Sequence, residues 1–394
     1  MKYISKTVWI LSVVSLLTDV ASEMLYPIMP IYLKSIGFSI VLIGILEGVA
    51  EATAGISKSY FGKLSDNSGK RVPFVKIGYT LSAISKPMMA VFVFPLWVFF
   101  ARTIDRFGKG IRTGARDAII SQEATPSTKA RVFGFHRSMD TIGAVLGPVL
   151  ALVFLYYYPG NYKTLFIIAF FPGLIAIFLT FKLKDKELVP KQNRTASFFS
   201  IFSYWKQSTT EYRKLLIGLL AFALINSSDI FLLLKAKESG IDDLTLIQVY
   251  IFYNLIYALS SYPIGILADK VGLKKIFLFG LLLFAGVYFG MSFNSNSVVF
   301  FGLFLIYGVY AAATEGIAKA WISNVSDSKD TATAIGTYSG LQSICTMIAS
   351  SATGIIWYAF GSSVALSIIA ILTMVILVYF YFAVPKTNKV KSEK

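Results

Sequence analysis

Cysteine and histidine are almost missing from this sequence: there is one of each, Cys345 and His136, in 394 residues. A single cysteine excludes an internal disulfide, and with a single histidine no thiolate or imidazole metal centre can be assembled. Carboxylates for a hard cation are present, but no metal site is assigned to them. No Gly-x-x-x-x-Gly-Lys-Ser/Thr phosphate loop occurs, so ATP is not the energy source within this chain. There is also no nucleophile with its base and no soluble domain, which argues against an enzyme and gives no cofactor to place. Acids are scarce beside bases, 21 against 37, and the net charge is +16. In a soluble protein that excess would suggest nucleic acid, so its placement along the chain decides its meaning.

What the sequence has in quantity is apolar residues, 56% of the chain, with a mean hydropathy of +0.67. Apolar runs of about 20 residues, the length that spans a hydrocarbon core, recur from end to end. The chain therefore reads as an all-α integral membrane protein of 12 transmembrane helices. The cuts fall at 8–33, 39–62, 73–93, 95–117, 131–157 and 162–182, then at 214–236, 244–268, 273–293, 297–319, 331–357 and 360–384. That gives a six-helix bundle over 1–182, a cytoplasmic linker over 183–213, and a second six-helix bundle over 214–394. The first segment is too long for a signal peptide and is interrupted by Asp19 and Glu23, so it is kept as a mature helix. The linker is charged at first and turns aromatic from Phe198 to Trp205, the pattern of a short helix lying on the inner membrane surface. With both termini inside, only Lys34, Lys163, Lys235 and Lys237 fall in outward-facing segments, and the positive-inside rule fixes that orientation. The basic excess is thus a topology signal, and nucleic acid drops out as a partner. The expected setting is the plasma (bacterial inner) membrane, both termini cytoplasmic, the chain a monomer in the lipid bilayer.

One stretch breaks the apolar pattern. Residues 102–117 occupy a spanning position, yet hold Arg102, Asp105, Arg106, Lys109, Arg112, Arg116 and Asp117. On a helix, cations at steps of three or four line one side. A charge near the bilayer centre costs about 2.5 to 3.5 kcal/mol on insertion scales, so such a row must face partners, a cavity or a substrate.

Other polar clusters follow. Helix 1 carries Ser15, Asp19, Glu23 and Tyr26 on one face, and Pro27 and Pro30 are expected to bend its outer end. Helix 2 adds Glu47, Glu51 and Lys58, and carboxylates crowded on two neighbouring helices can exchange protons near neutral pH. Helix 3 adds Lys76 and Lys86. In helix 5, Asp140 is one turn from His136 and within reach of Arg137, so either can pair with it, while Gly143 and Gly147 permit close helix packing. The second half offers Asn226 to Asp229, a tyrosine row at Tyr250, Tyr253 and Tyr257, and in helix 10 Tyr307, Tyr310, Glu315 and Lys319. Glu315 and Lys319, one turn apart, are expected to pair. The turn after helix 2 needs Gly62 and Gly69, with Asp66 able to cap an incoming helix and Lys70 and Arg71 able to find a carboxylate or anionic lipid.

The halves repeat one another. Gly62-Lys-Leu-Ser-Asp66-Asn-Ser-Gly69-Lys70-Arg71 follows helix 2, and Gly265-Ile-Leu-Ala-Asp269-Lys-Val-Gly272 follows helix 8, while Ala130 and Gly134 answer to Ala332 and Gly336 at the same offset to within one position. The chain resembles the major facilitator superfamily over nearly its whole length. The loop Gly62 to Arg71 looks like that superfamily's signature loop, with a degenerate copy at Asp269. Arg106-x-x-Lys109-Gly110 is similar to its Arg-x-x-Gln-Gly element, with Lys for Gln. Gly134, Gly143 and Gly147-Pro148 look like the antiporter motif of its proton-coupled exporters, although Ala151 and Leu152 stand where a closing Gly-Gly is usual. The resemblance implies two pseudo-symmetric bundles, a site near the midplane between them, and a cytoplasmic gate in which Asp66 caps helix 11 and the basic residues pair with an acid at the inner end of helix 4, Asp117 being the candidate.

The resulting expectation is a secondary transporter driven by the proton gradient and working by alternating access, most simply an exporter. Substrate and proton coupling fall to Asp19, Glu23, Glu47, Glu51, Arg102, Asp105, Arg106, Lys109, Arg112, Arg137, Asp140, Asp229 and Glu315. The cations exceed what an exporter of hydrophobic cations would want, so a small organic anion or zwitterion fits better. The alternatives are uptake of an organic anion by proton symport, and a non-transporting receptor or lipid-translocating protein.

Overall fold

The computed structural model describes residues 4–384 except 27, 30–31, 34–35, 38–39, 93 and 187–199; within helices it leaves undescribed the side chains of 40–49, 51–52, 200–203, 243–244 and 247. Among the described residues the fold is all helical: α1 (Lys6–Glu23), α2 (Ile40–Ser68), α3 (Val72–Val91), α4 (Pro95–Gln122), α5 (Lys129–Tyr157), α6 (Tyr162–Thr180), α7 (Ser200–Gln207), α8 (Thr210–Ala223), α9 (Ile230–Glu238), α10 (Asp243–Val271), α11 (Leu273–Phe293), α12 (Ser297–Val325), α13 (Thr331–Phe360) and α14 (Ser362–Ala383). Seven of them are long and apolar enough to cross a membrane: α5, α6, the stretch of α10 from Gln248, and α11 to α14.

Local chemistry explains most of the boundaries. Side chains of Ser5, Thr209, Asp242 and Asn296 accept backbone N–H bonds at the starts of α1, α8, α10 and α12. Proline stands in the first turn of α3 and α4, where its missing N–H costs nothing. Gly272, at φ 105°, ends α10 and opens α11 in a conformation that L-residues rarely adopt.

Three expectations need correction. Helix α1 ends at Glu23, turns follow at 24–26, helical residues recur at Met29, Tyr32 and Leu33, and Pro27 and Pro30 lie outside the described residues. Gly62 is not a turn residue; it lies within α2, and the turn is made at Gly69, φ 67°. The segment expected as one helix over 214–236 is two, α8 and α9, with Leu224–Asp229 between them. No glycine or proline marks that break. Asn226, Ser227, Ser228 and Asp229 supply it, because short polar side chains compete with the backbone for its own hydrogen bonds.

The chain divides into two compact units. Unit 1 comprises Met1–Glu123, Met139–Lys206 and Ser328–Gly340, and unit 2 comprises Ala124–Ser138, Gln207–Asp327 and Leu341–Lys394. The division therefore differs from a cut at the linker: the amino-terminal part of α5 belongs with the second unit and that of α13 with the first. In unit 1, α4 packs against both α2 and α3, and α6 against α1 and α3. Val20, Met24, Met89, Val98 and Phe166 form its apolar core. In unit 2, α12 packs against α10 and α11, and α11 against α14.

Candidate functional site

The α4 row is enclosed in unit 1, and its members have distinct partners. Asp105 receives Lys86 Nζ from α3 at 2.8 Å and Arg102 Nη1 at 3.5 Å, all three side chains under 10% exposed. Lys86 thereby becomes part of the charged row, which its position in the sequence did not reveal. Arg112 donates to Ser82 Oγ and lies over the Tyr79 ring at 4.5 Å, so its immediate partners are neutral. Arg106 is buried and Lys109 is exposed. Arg116 donates from Nε to Asp117 at 2.9 Å and from Nη1 to Ser15 Oγ at 3.1 Å, and Ser15 in turn donates to Asp140. Asp19 of α1 lies within the field of Asp140, and Glu23 within that of Lys109, Arg106 and Arg102. A polar chain thus joins α1, α4 and α5. Glu47 and Glu51 are on α2, and their side chains lie outside the described residues.

Small residues make that chain possible. A Cβ added at Gly143 would sit 2.5 Å from the Leu16 carbonyl oxygen and 2.9 Å from Asp19 Cβ, and one at Gly147 would sit 2.6 Å from Met24 N. Side chains there would push α5 off α1 and separate Asp140 from its partners. Pro148 stands inside α5 one residue further on. Gly134, at the other end of the helix, meets the Ser261 carbonyl of α10 within unit 2.

The two repeated turns do matching work. In unit 1, Asp66 Oδ2 accepts from Thr333 N and Thr333 Oγ1, both at 2.7 Å, capping α13, while its Oδ1 takes Arg71 Nη2 at 2.8 Å. In unit 2, Asp269 accepts from Ala130 N, Arg131 N and Arg131 Nε, each at 3.0 Å, capping α5. The partners the structure gives are Asp66 for Arg71 and Arg116 for Asp117, in place of the expected pairing of the loop's basic residues with Asp117. Lys70 is exposed in the turn. Asp185, within the charged start of the linker, accepts from Arg71 N and Val72 N at 2.8 Å each and caps α3. Gly62, within α2, lets that helix approach the start of α13 closely: a Cβ there would stand 2.5 Å from the Ala332 carbonyl oxygen.

Unit 2 carries a different site. Asp229, at the break before α9, accepts Tyr307 Oη at 2.6 Å and Tyr253 Oη at 3.2 Å. Tyr253 stacks on Tyr257, and Tyr307 lies beside Tyr310. Phe284 and Tyr288 of α11 extend this aromatic cluster, and an apolar run gave no sign of them beforehand. Arg137 donates to Tyr257 Oη and to Glu315. Glu315 is therefore paired with Arg137 of α5, where its sequence neighbour Lys319 was expected. Among the described residues no three His, Cys, Asp or Glu side chains gather as a metal ion would require.

A family model described as Major Facilitator Superfamily matches residues 11–253 and 216–394. The chain belongs to the major facilitator superfamily. It is 32% identical over 360 residues to an uncharacterised MFS-type transporter, MJ1317, of Methanocaldococcus jannaschii, covering 90% of this chain and 89% of that protein. It is also similar to the quinolone resistance protein NorA of Staphylococcus aureus, 27% identical over 122 residues and 31% of each chain. Among solved structures it superimposes on the fucose:proton symporter FucP of Escherichia coli with a TM-score of 0.80 at 14% identity, over 96% of this chain and 99% of that one. As a member of this superfamily the chain is an integral membrane protein and a secondary transporter, which accounts for polar chains within otherwise apolar helices.

Proposed function

We propose that this transporter exports a small organic anion or zwitterion by alternating access, driven by the proton gradient. The observation that carries the reading is the chemistry around α4. Its row sets Arg102, Arg106, Lys109, Arg112 and Arg116 against Asp105 and Asp117, and buried Arg112 is held by the neutral Ser82 and Tyr79. A second cation brought to about 6 Å from such a charge meets roughly 3 kcal/mol of repulsion at an effective dielectric of about 20, whereas an anion gains a similar amount. Proton coupling is supported by the proximity of Asp19 and Asp140, whose carboxylates repel one another when both are charged. Likeness to NorA and the close packing at Gly143 and Gly147 support export.

In this reading α8 and α9 form one span and α7 lies at the cytoplasmic surface. The twelve spans then place both termini in the cytoplasm of a bacterial inner membrane, and the chain works as a monomer. Protonation of Asp19 and Asp140 from outside weakens their hold on the ammonium of a zwitterionic cargo, and deprotonation inside re-arms the site. Asp66 and Asp269 act as the cytoplasmic gate by capping α13 and α5. The test is flux in vesicles under an imposed pH gradient. Export that follows the gradient, and is lost in Asp19→Asn and Asp140→Asn, is expected; flux indifferent to both would overturn the proposal.

A further inference from the structure

The break between α8 and α9 collects oxygen atoms around one carboxylate in unit 2. Ile225 N and Asn226 N both turn to the Phe222 carbonyl and Ser227 N turns to that of Ile225, so the carbonyls of Ala223 and Leu224 take no N–H from the described backbone. Asn226 donates from Nδ2 to Tyr310 Oη at 3.1 Å, while its Oδ1 is buried with no hydrogen-bond partner among the described residues. Two buried hydroxyls share that condition: Ser227 Oγ, in a residue 3% exposed, and Tyr288 Oη of α11, in a residue 0% exposed. Tyr288 stands beside Ser227 and within the field of Asp229, and its ring centre is 6.5 Å from that of Tyr307, which donates to Asp229. Asp229 itself is held by two neutral phenols. The charged group acting on it is another acid, Glu315, and no cation pairs with it among the described residues. Each of its oxygens accepts one phenol and keeps a second lone pair.

We propose that this cluster binds a small monovalent metal cation, Na+, through the Asp229 carboxylate, Asn226 Oδ1, Ser227 Oγ and the carbonyl oxygens freed at the end of α8. The donor set points to the class of ion. Every donor is oxygen, which suits a hard cation. One carboxylate balances one positive charge, whereas a divalent ion calls for the gathered acids that the described residues lack. The carboxyl end of α8 adds the negative end of its dipole. Most donors come from one short stretch, 223–229, and the far side is filled by the buried rings of Tyr253, Tyr288, Tyr307 and Tyr310, so a bare ion is favoured over an alkylammonium. Asn226 and Asp229 are half-buried, which leaves the ion a way in. α8 has 14 residues, which places the break about 21 Å from the Thr210 end, deep in the span that α8 and α9 share in the reading above. A carboxylate at that depth needs a counter-charge, and Na+ supplies it while tying the α8 end to α10, α11 and α12. The site is separate from proton exchange at Asp19 and Asp140 in unit 1.

The test follows the melting temperature of the full-length protein in detergent as NaCl replaces KCl or N-methylglucamine chloride at constant ionic strength and pH, together with equilibrium binding of radioactive Na+. Na+ should raise the melting temperature saturably at a concentration about tenfold or more below that of K+, with N-methylglucamine inert, and one Na+ should bind per chain. Asp229→Asn should abolish the response. Ser227→Ala keeps the carboxylate and removes one donor, so the half-saturating concentration should rise about tenfold. Should Asp229→Asn fail to fold, Ser227→Ala and Asn226→Ala carry the test, and a Na+ response unchanged in both would overturn the inference. So would a shift that K+ and N-methylglucamine reproduce, a Na+ response that persists in folded Asp229→Asn, or a melting temperature that rises on acidification and ignores Na+, which would give Asp229 to a proton. Proton-driven export without Na+ binding defeats the inference and leaves the transporter reading standing; Na+ binding without flux does the reverse.

Discussion

Replacing Asp66 with alanine should be among the most damaging single changes in this protein. The residue is 4% exposed and its partner Arg71 is 1% exposed, so the variant leaves a guanidinium buried without its counter-charge. Breaking a buried pair by removing one partner costs about 3 to 5 kcal/mol. Losing the cap on α13 costs about 0.5 to 2 kcal/mol by itself. Both effects run through one carboxylate, so they overlap, and the expected loss is about 3 to 5 kcal/mol. Asp66→Asn keeps an acceptor for Thr333 N at 2.7 Å and removes only the charge, so about half the loss is expected. Asp269→Ala is the internal control. Arg131 is 15% exposed and retains access to water, so that variant should lose only about 1 to 3 kcal/mol. Unfolding titrations in mixed micelles, followed by helicity, measure all three. An Asp66→Ala variant within about 1 kcal/mol of wild type, or one more stable than Asp269→Ala, would refute the reasoning.

Asp105→Asn should destabilise by a similar about 3 to 5 kcal/mol, because Lys86 and Arg102 lose their shared carboxylate; adding Lys86→Met should restore part of it in the same titration. Gly143→Val should lower stability by at least about 1 to 3 kcal/mol by forcing α1 from α5, and should abolish proton-driven flux along with it; a folded, fully active variant in transport assays would contradict the packing account. Arg106→Gln is expected to abolish flux, while Asp117→Asn is expected to alter the balance of inward and outward accessibility in cysteine-labelling measurements. Identical phenotypes would argue against dividing α4 into a binding part and a gating part.

Much of the frame was legible because it follows from composition and repetition. Apolar runs gave α11 to the residue and the starts of α12 and α13, and the repeated turns at Asp66 and Asp269 pointed to equivalent capping positions. Interactions across helices were harder. Sequence spacing shows only neighbours on one helix, which is why Glu315 was matched with Lys319 and not with Arg137. The break between α8 and α9 escaped notice because Asn226 to Asp229 carries no glycine or proline, and its stabilisation comes from afar, with Ser228 N donating to Ser350 Oγ at 3.1 Å and Tyr307 donating to Asp229. Lys86 and Asp185 were hidden for the same reason: each acts on a segment distant in sequence.

The central claim is that proton exchange at Asp19 and Asp140 drives export of a cargo gathered beside the α4 cations. The most direct test is proteoliposome flux of the acid or zwitterion that best stabilises the protein, measured with and without an imposed pH gradient, in wild type and in Asp19→Asn and Asp140→Asn. Accumulation against a gradient in wild type, reduced to equilibrating counterflow in the variants, is the predicted result. Uphill transport that survives neutralisation of both carboxylates would contradict it.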